Sequence, residues 1–229
     1  THIPKEIFSS LKKDAISVDG MLYAPPNFLR MSMYLELSRP SGDTSRWEKV
    51  LKRLTLLNKN YEINANVNCG KIDFQREMHD KINEDKIFDT VKEVLINQGV
   101  VFFGGFANTL YAQYMPKKLR RKLQKFADFD VLSNNPLATA EIVKERLHDV
   151  NIQNVKIIKQ NAVGEIIPEH YEVKIGEDSV LYVYKTVGCH SYNVLMMNGK
   201  KVKIATIDTM LSFYLAFLYA NKPYYNQFL

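Results

Sequence analysis

Apolar positions recur at helical spacing in some stretches of the chain and alternate in others. Ile82, Ile87, Val91, Val94 and Leu95 share one side of a helix that Asn97-Gln-Gly99 ends. Val100-Val-Phe-Phe103 is a short, wholly apolar run of β-branched and aromatic residues, the pattern of a buried strand. Gly104-Gly105 breaks it, and a helix resumes over Ala107 to Met115, followed by a basic helical stretch from Lys117 to Lys125. Phe126 to Leu132 alternates as a strand does, and Ser133-Asn-Asn-Pro136 turns it into a helix over Leu137 to Val150. Further strands are predicted at Val155–Ile158, His170–Ile175 and Val180–Thr186, the last two joined by a Gly176-Glu-Asp hairpin turn. A second hairpin spans Tyr192 to Ile204 around Asn198-Gly199. Thr206 then caps a helix running through Leu211, Phe213, Leu218 and Tyr219.

Residues 1 to about 75 are patterned less sharply. Pro4 to Lys13 predicts a short helix, a Pro-containing stretch follows around Tyr23 to Asn27, and Asp43 or Thr44 caps a helix carrying Trp47, Val50, Leu51 and Leu54. This region reads as a supporting layer. The whole describes an α+β (mixed α/β) architecture, a mixed sheet flanked by helices, with no internal repeat. The last helix is apolar nearly all round at Phe213, Leu215, Phe217, Leu218 and Tyr219, as a helix packed on a further domain would be. A chain that opens on Thr1 and stops soon after that helix reads as a piece of a longer protein.

Composition narrows the function classes. A length of 229 residues allows one or two domains of about 150 residues each. Lysine and arginine exceed the acids by 31 to 25, a net charge of +6 that suits a polyanionic partner without requiring one. Cys69 and Cys189 are far apart and lack a CxxC, which excludes a disulfide framework or structural zinc site and is compatible with a reducing compartment. Thr209 to Ala220 is too short for the roughly 20 residues of a membrane span, and the N-terminus has no secretory apolar core.

Three constellations carry candidate chemistry. Strand, Gly104-Gly105, helix allows a sharp turn, close backbone approach to a ligand, and a helix start that favours phosphate; its plain alternative is an ordinary strand-to-helix turn. Asp128-Phe129-Asp130 sets two carboxylates about 7 Å apart on one strand face, with Phe129 and Val131 on the other. Such a pair repels itself and contributes nothing to a core, so a hard cation, Mg²⁺ above all, is the natural reason for it, against the alternative of a solvated edge strand. Glu172 joins them if its strand lies antiparallel beside that of Asp128; otherwise it is a surface carboxylate facing Lys174. Glu177 and Asp178 are rivals placed at a hairpin tip. Lys117, Lys118, Arg120, Arg121, Lys122 and Lys125 form either a solvated helix face or a phosphate-contacting one. Cys189 and His190 read as structural, His148 and His170 as incidental, and Tyr182, Tyr184, Tyr224 and Tyr225 as packing residues before base-stacking ones.

In order and spacing, FFGGFANTLY at 102–111, FADFDVLS at 126–133 and KVKIATIDTMLSF at 201–213 resemble the polymerase-β-type nucleotidyltransferases, over roughly residues 80 to 220. More narrowly, the stretch resembles the poly(A) polymerase catalytic subunits of nucleocytoplasmic large DNA viruses, the giant-virus type in particular. The resemblance implies a supporting region over 1–78, a nucleotidyltransferase domain over 79–205 and the start of a helical region over 206–229. It implies addition of AMP from ATP to RNA 3′ ends with two Mg²⁺ or Mn²⁺ ions. Asp128 and Asp130 would hold both ions and Glu172 one, Gly104 and Gly105 would approach the phosphates, and Asn108 or Thr109 would replace the serine hydroxyl that many members carry after the first glycine. Lys117, Lys118, Arg120, Arg121 and Lys122 would border the RNA, and a homodimer located in virion and host cytoplasm would follow. Two alternatives stand: a tRNA-modifying or toxin-type nucleotidyltransferase, and a catalytically silent copy of the fold that binds RNA or dimerises. The Asp128/Asp130 pair argues against the silent one.

Overall fold

A computed structural model of the chain describes residues 3, 5–39, 43–62, 78–79, 83–114, 116–117 and 128–220. They fall into two compact units, one from the described residues of 1–72, 163–167 and 207–229, the other from those of 73–162 and 168–206.

The first unit is helical. It contains α1 (Lys5–Lys13), a hairpin of β1 (Ile16–Val18) and β2 (Met21–Tyr23), α2 (Pro26–Ser38), a single 3₁₀ turn at Thr44–Arg46, α3 (Trp47–Asn60) and, from the far end of the chain, α7 (Ile207–Tyr219). Asp43 caps the 3₁₀ turn by accepting from the Ser45 amide at 3.0 Å. The hairpin and α2 escaped the sequence reading. Pro26 occupies the first turn of α2, where its missing N–H costs nothing, so the two prolines that look like a loop signal begin a helix. The apolar α7 finds its cover within this chain: it packs on α2, with the Phe28 and Tyr219 rings 5.0 Å apart. The Thr206 hydroxyl just before it donates to the Ser191 carbonyl.

Arg30 is the one buried cation of α2, only 6% exposed. Its Nε donates to Asn58 Oδ1 at 2.7 Å, one terminal nitrogen to Asn27 Oδ1 at 2.5 Å, and the other to the Tyr61 carbonyl. The guanidinium thus sits at the C-terminal end of α3, where unpaired carbonyls and the negative dipole end favour a cation. Replacing Arg30 by methionine keeps the stem but orphans these acceptors, so we expect a loss of about 1–3 kcal/mol in chemical denaturation. An unchanged unfolding midpoint would show that water serves these acceptors equally well.

The second unit is a seven-stranded mixed sheet with helices packed on it. α4 (Glu84–Gln98) leads into β3 (Val101–Phe103), α5 (Gly104–Tyr111), β4 (Phe129–Ser133) and α6 (Pro136–Asp149). Then come β5 (Val155–Gln160), β6 (His170–Ile175), β7 (Asp178–Lys185), β8 (Tyr192–Met197) and β9 (Lys200–Ala205). The strand order is β5-β6-β7-β4-β3-β9-β8. The β4–β7 and β3–β9 pairs are parallel and the other four antiparallel.

Burial follows alternation. Phe129 and Val131 of β4, Leu181 and Val183 of β7, and Val173 of β6 share one face and are almost wholly buried. α6 packs on β4 to β7 and also against α4. An aromatic cluster fills the same side of the sheet: Phe102 and Phe106 lie 4.8 Å apart, Phe88 and Phe129 also 4.8 Å, and Phe106 and Phe129 5.3 Å. These contacts fix α5 against the end of β3, and with it the turn between them.

Candidate active site

The turn begins where Phe103 leaves β3 in extended conformation and Gly104 enters α5 with φ +66°. The two glycines are therefore the first turn of α5 itself, not a break ahead of a helix starting at Ala107. A Cβ at Gly104 would overlap Asp130 Oδ2 and lie 2.9 Å from Asp130 Cγ. The space glycine leaves is occupied by the Asp130 carboxylate, which so rests at the positive end of α5. The close approach that the turn permits is, first of all, that of a carboxylate from the neighbouring strand.

Register places the rest. Phe103 pairs with Asp130, Asp130 with Tyr182, Tyr182 with Glu172, and Glu172 with Ile158. Paired residues in adjacent strands share a face, so Asp130, Tyr182 and Glu172 form one row opposite the aromatic cluster. Asp128 lies two residues upstream of Asp130, immediately before β4, and both are half-buried. Further along this face Tyr184 packs on Phe103 at 5.3 Å and stacks on His170 at 4.4 Å, making His170 part of a buried aromatic floor.

The placement of Glu172 corrects the expectation from sequence. Its strand is not beside that of Asp128: β7 lies between, because the β6–β7 hairpin presents β7 to β4 in parallel. The residue next to Asp130 is thus Tyr182, and Glu172 stands two strands away. Its carboxylate is engaged there by Gln160 Nε2 at 3.0 Å, Tyr182 OH at 3.3 Å and the Ser179 hydroxyl. A bulge makes this possible. Val173 pairs with Leu181 but Lys174 with Ser179, leaving Val180 as an extra residue in β7. Ser179 and Tyr182, three positions apart, would otherwise point to opposite faces; the bulge turns both hydroxyls toward one carboxylate. The sequence rivals for this role are also engaged. Asp178 accepts from the His79 amide at 2.9 Å and meets His79 Nδ1 at 2.6 Å, while exposed Glu177 lies 3.9 Å from Lys174.

The remaining predicted residues are on α5 or beyond it. Gly105 is in the first turn with Gly104, and half-buried Asn108 and Thr109 are in the second. The Thr109 hydroxyl donates to the Gly105 carbonyl at 3.2 Å. Lys117 is exposed; Lys118, Arg120, Arg121, Lys122 and Lys125 lie outside the described residues, as does Cys69. Cys189 is exposed, and the adjacent His190 Nε2 accepts from the Val187 amide. Burial holds the His190 imidazole below the usual histidine range. The role of Tyr182 beside Asp130, and of Ser179 and Gln160 around Glu172, went unread, since it depends on strand order.

Among the described residues, no group of three or more His, Cys, Asp or Glu side chains is placed to hold a metal. Asp128 and Asp130 supply hard oxygen donors on a half-buried face, and the glycine at 104 gives one of them room. That donor set suits a Mg²⁺ whose other positions go to water and substrate phosphates.

The mixed sheet with this turn and this acidic strand is an α+β fold. It matches the crystal structure of the Megavirus polyadenylate synthase with a TM-score of 0.71 at 16% identity, over 97% of this chain and 46% of that one. That likeness establishes the fold, and the chain spans a little under half the length of the viral protein. JHP933 from Helicobacter pylori overlaps 59% of this chain and 56% of its own at 15% identity and a TM-score of 0.35, too loose to carry an argument. No protein-family model and no curated protein sequence matches the chain. No helix among the described residues is long and apolar enough to cross a membrane.

Proposed function

We propose that this chain transfers AMP from ATP to the 3′ end of RNA, releasing pyrophosphate, as part of an mRNA-tailing enzyme. The observation that carries the reading is the seating of the Asp130 carboxylate against Gly104 at the start of α5, in a fold like that of the Megavirus polyadenylate synthase. Asp128 and Asp130 would hold a divalent cation there. When bound, Mg²⁺ or Mn²⁺ supplies positive charge that orients the ATP triphosphate and offsets the charge of departing pyrophosphate. The chain's own part is positioning. The aromatic cluster beneath β4 fixes the carboxylates, Gly104 and Gly105 keep the turn slim enough for phosphates to approach, and Asn108 stands on the next turn. Lys117, with the basic residues that follow it in sequence, would track the RNA backbone in a salt-sensitive manner.

One observation favours a second reading. A tyrosine rather than a carboxylate stands beside Asp130, which suits a nucleotidyltransferase fold that binds RNA or nucleotide without transferring.

Primer extension decides between them: the full protein, a short RNA with a free 3′-hydroxyl, Mg²⁺ or Mn²⁺, and each nucleoside triphosphate separately. A long ladder with ATP alone is the expected result. Addition of one or a few residues, or a preference for CTP, would transfer the reading to a tRNA-modifying or toxin-type enzyme. RNA binding without incorporation would establish the silent one.

A further inference from the structure

We propose that, among the described residues, the cation site is built by Asp128 and Asp130 alone and takes one divalent ion per chain, with Glu172 serving instead as the internal anchor of the bulged β6–β7 hairpin that sets Tyr182 beside Asp130. The inference rests on the nucleotide-transfer reading and departs from the two-ion, three-carboxylate arrangement that the sequence resemblance implies.

Geometry comes first. Two interstrand spacings, about 10 Å, separate the Asp130 and Glu172 backbones, whereas oxygens sharing a Mg²⁺ must each come within about 2.1 Å of it. Tyr182 stands on the strand between them, in register with both. To reach a shared ion, the Glu172 side chain would have to pass that ring.

The hydrogen bonds point the same way. Glu172 Oε1 faces β7, where it accepts from Ser179 and Tyr182; Oε2 faces β5, where Gln160 donates from 3.0 Å. Both oxygens are engaged, in a residue that is 9% exposed. Burying a carboxylate so deeply is tolerable because three donors satisfy it, and moving it to a metal would orphan all three.

The bulge has a purpose in this arrangement. Only the extra residue at Val180 brings Ser179 onto the face of Tyr182, and both then donate to the same oxygen. A bulged strand is prone to slip, and a carboxylate gripping its two hydroxyls fixes its register. Glu172 therefore acts on the site at one remove, as a positioning residue that keeps Tyr182 opposite Asp130.

Mn²⁺ titration of the full protein, followed by electron paramagnetic resonance with a non-hydrolysable ATP analogue present, tests this directly. We expect one tightly bound Mn²⁺ per chain. In Glu172→Gln the stoichiometry should remain one, while thermal unfolding shifts down by several degrees as the hairpin loosens. In Asp130→Asn, Mn²⁺ affinity should fall by more than about a hundredfold, beyond the usual effect of residues that only support a ligand. Two ions per wild-type chain would overturn the one-ion inference and leave the nucleotide-transfer reading standing, and this holds whether or not the variant folds. Loss of an ion in folded Glu172→Gln would overturn it equally. Absence of any bound Mn²⁺ in the wild-type protein with nucleotide would sink both.

Discussion

Gly104→Ala should abolish nucleotide transfer and destabilise the fold. Its backbone has φ +66°, a conformation that costs an L-residue about 1–2 kcal/mol. The added methyl would also lie 2.9 Å from Asp130 Cγ and 3.0 Å from Asp130 Cβ, and would overlap Oδ2. Asp130 is held by β3 on one side and β7 on the other, so its backbone cannot withdraw, and the side chain must swing out of the site. Gly176 provides the comparison. Its φ is +59° with nothing within 4 Å of the position a Cβ would take, so Gly176→Ala bears the backbone cost without the collision. We expect thermal unfolding to fall in both variants, and primer extension to disappear only in Gly104→Ala. Transfer at the wild-type level in Gly104→Ala would show that Asp130 does its work from another position.

Asp128→Asn and Asp130→Asn should each remove transfer while leaving the fold intact. A cation site with two protein carboxylates loses half its charge with either substitution. At several kcal/mol of lost charge stabilisation, that is roughly a thousandfold or more in rate. Stability should change little, because relief of the repulsion between two carboxylates about 7 Å apart offsets the lost attraction of Asp130 to the start of α5. Circular dichroism and thermal melting establish that each variant is folded, and primer extension then reads the rate. A folded variant that still extends RNA normally would remove the carboxylate pair from the mechanism.

The pattern of the chain made much of the second unit legible. Alternation around Phe129 and Val131, the apolar run ending at Phe103, and the Asn198-Gly199 turn each encode local structure, and each lies where expected. Two kinds of information were absent. β1 and β2 are three residues each and exposed throughout, so no buried face imposes an alternation that could be read. Strand order is not local at all. Both strands of the β6–β7 hairpin are apparent from their own residues, but whether β6 or β7 meets β4 is decided by packing across some fifty residues of chain. The carboxylate pair was therefore readable and the position of Glu172 was not. Gly104 shows a third case: its backbone freedom could be inferred, yet the group that uses it comes from another strand.

The parallel pairing of β3 with β9 bears on how this molecule is made as well as on what it does. Val101 and Phe102 meet Lys203 and Ile204, so on the ribosome β3 has no partner on that side until about a hundred further residues have been synthesised. β4 likewise waits for β7. The β6–β7 and β8–β9 hairpins close over a few residues and form early; the parallel pairings of β3 with β9 and of β4 with β7 form last, since long loops are slow to close. During that interval Phe102 and Phe103, wholly buried in the finished sheet, lie on an open apolar edge that a second nascent chain could pair with. The segment that gives the site its rigidity is thus also the one whose edge waits longest for its partner.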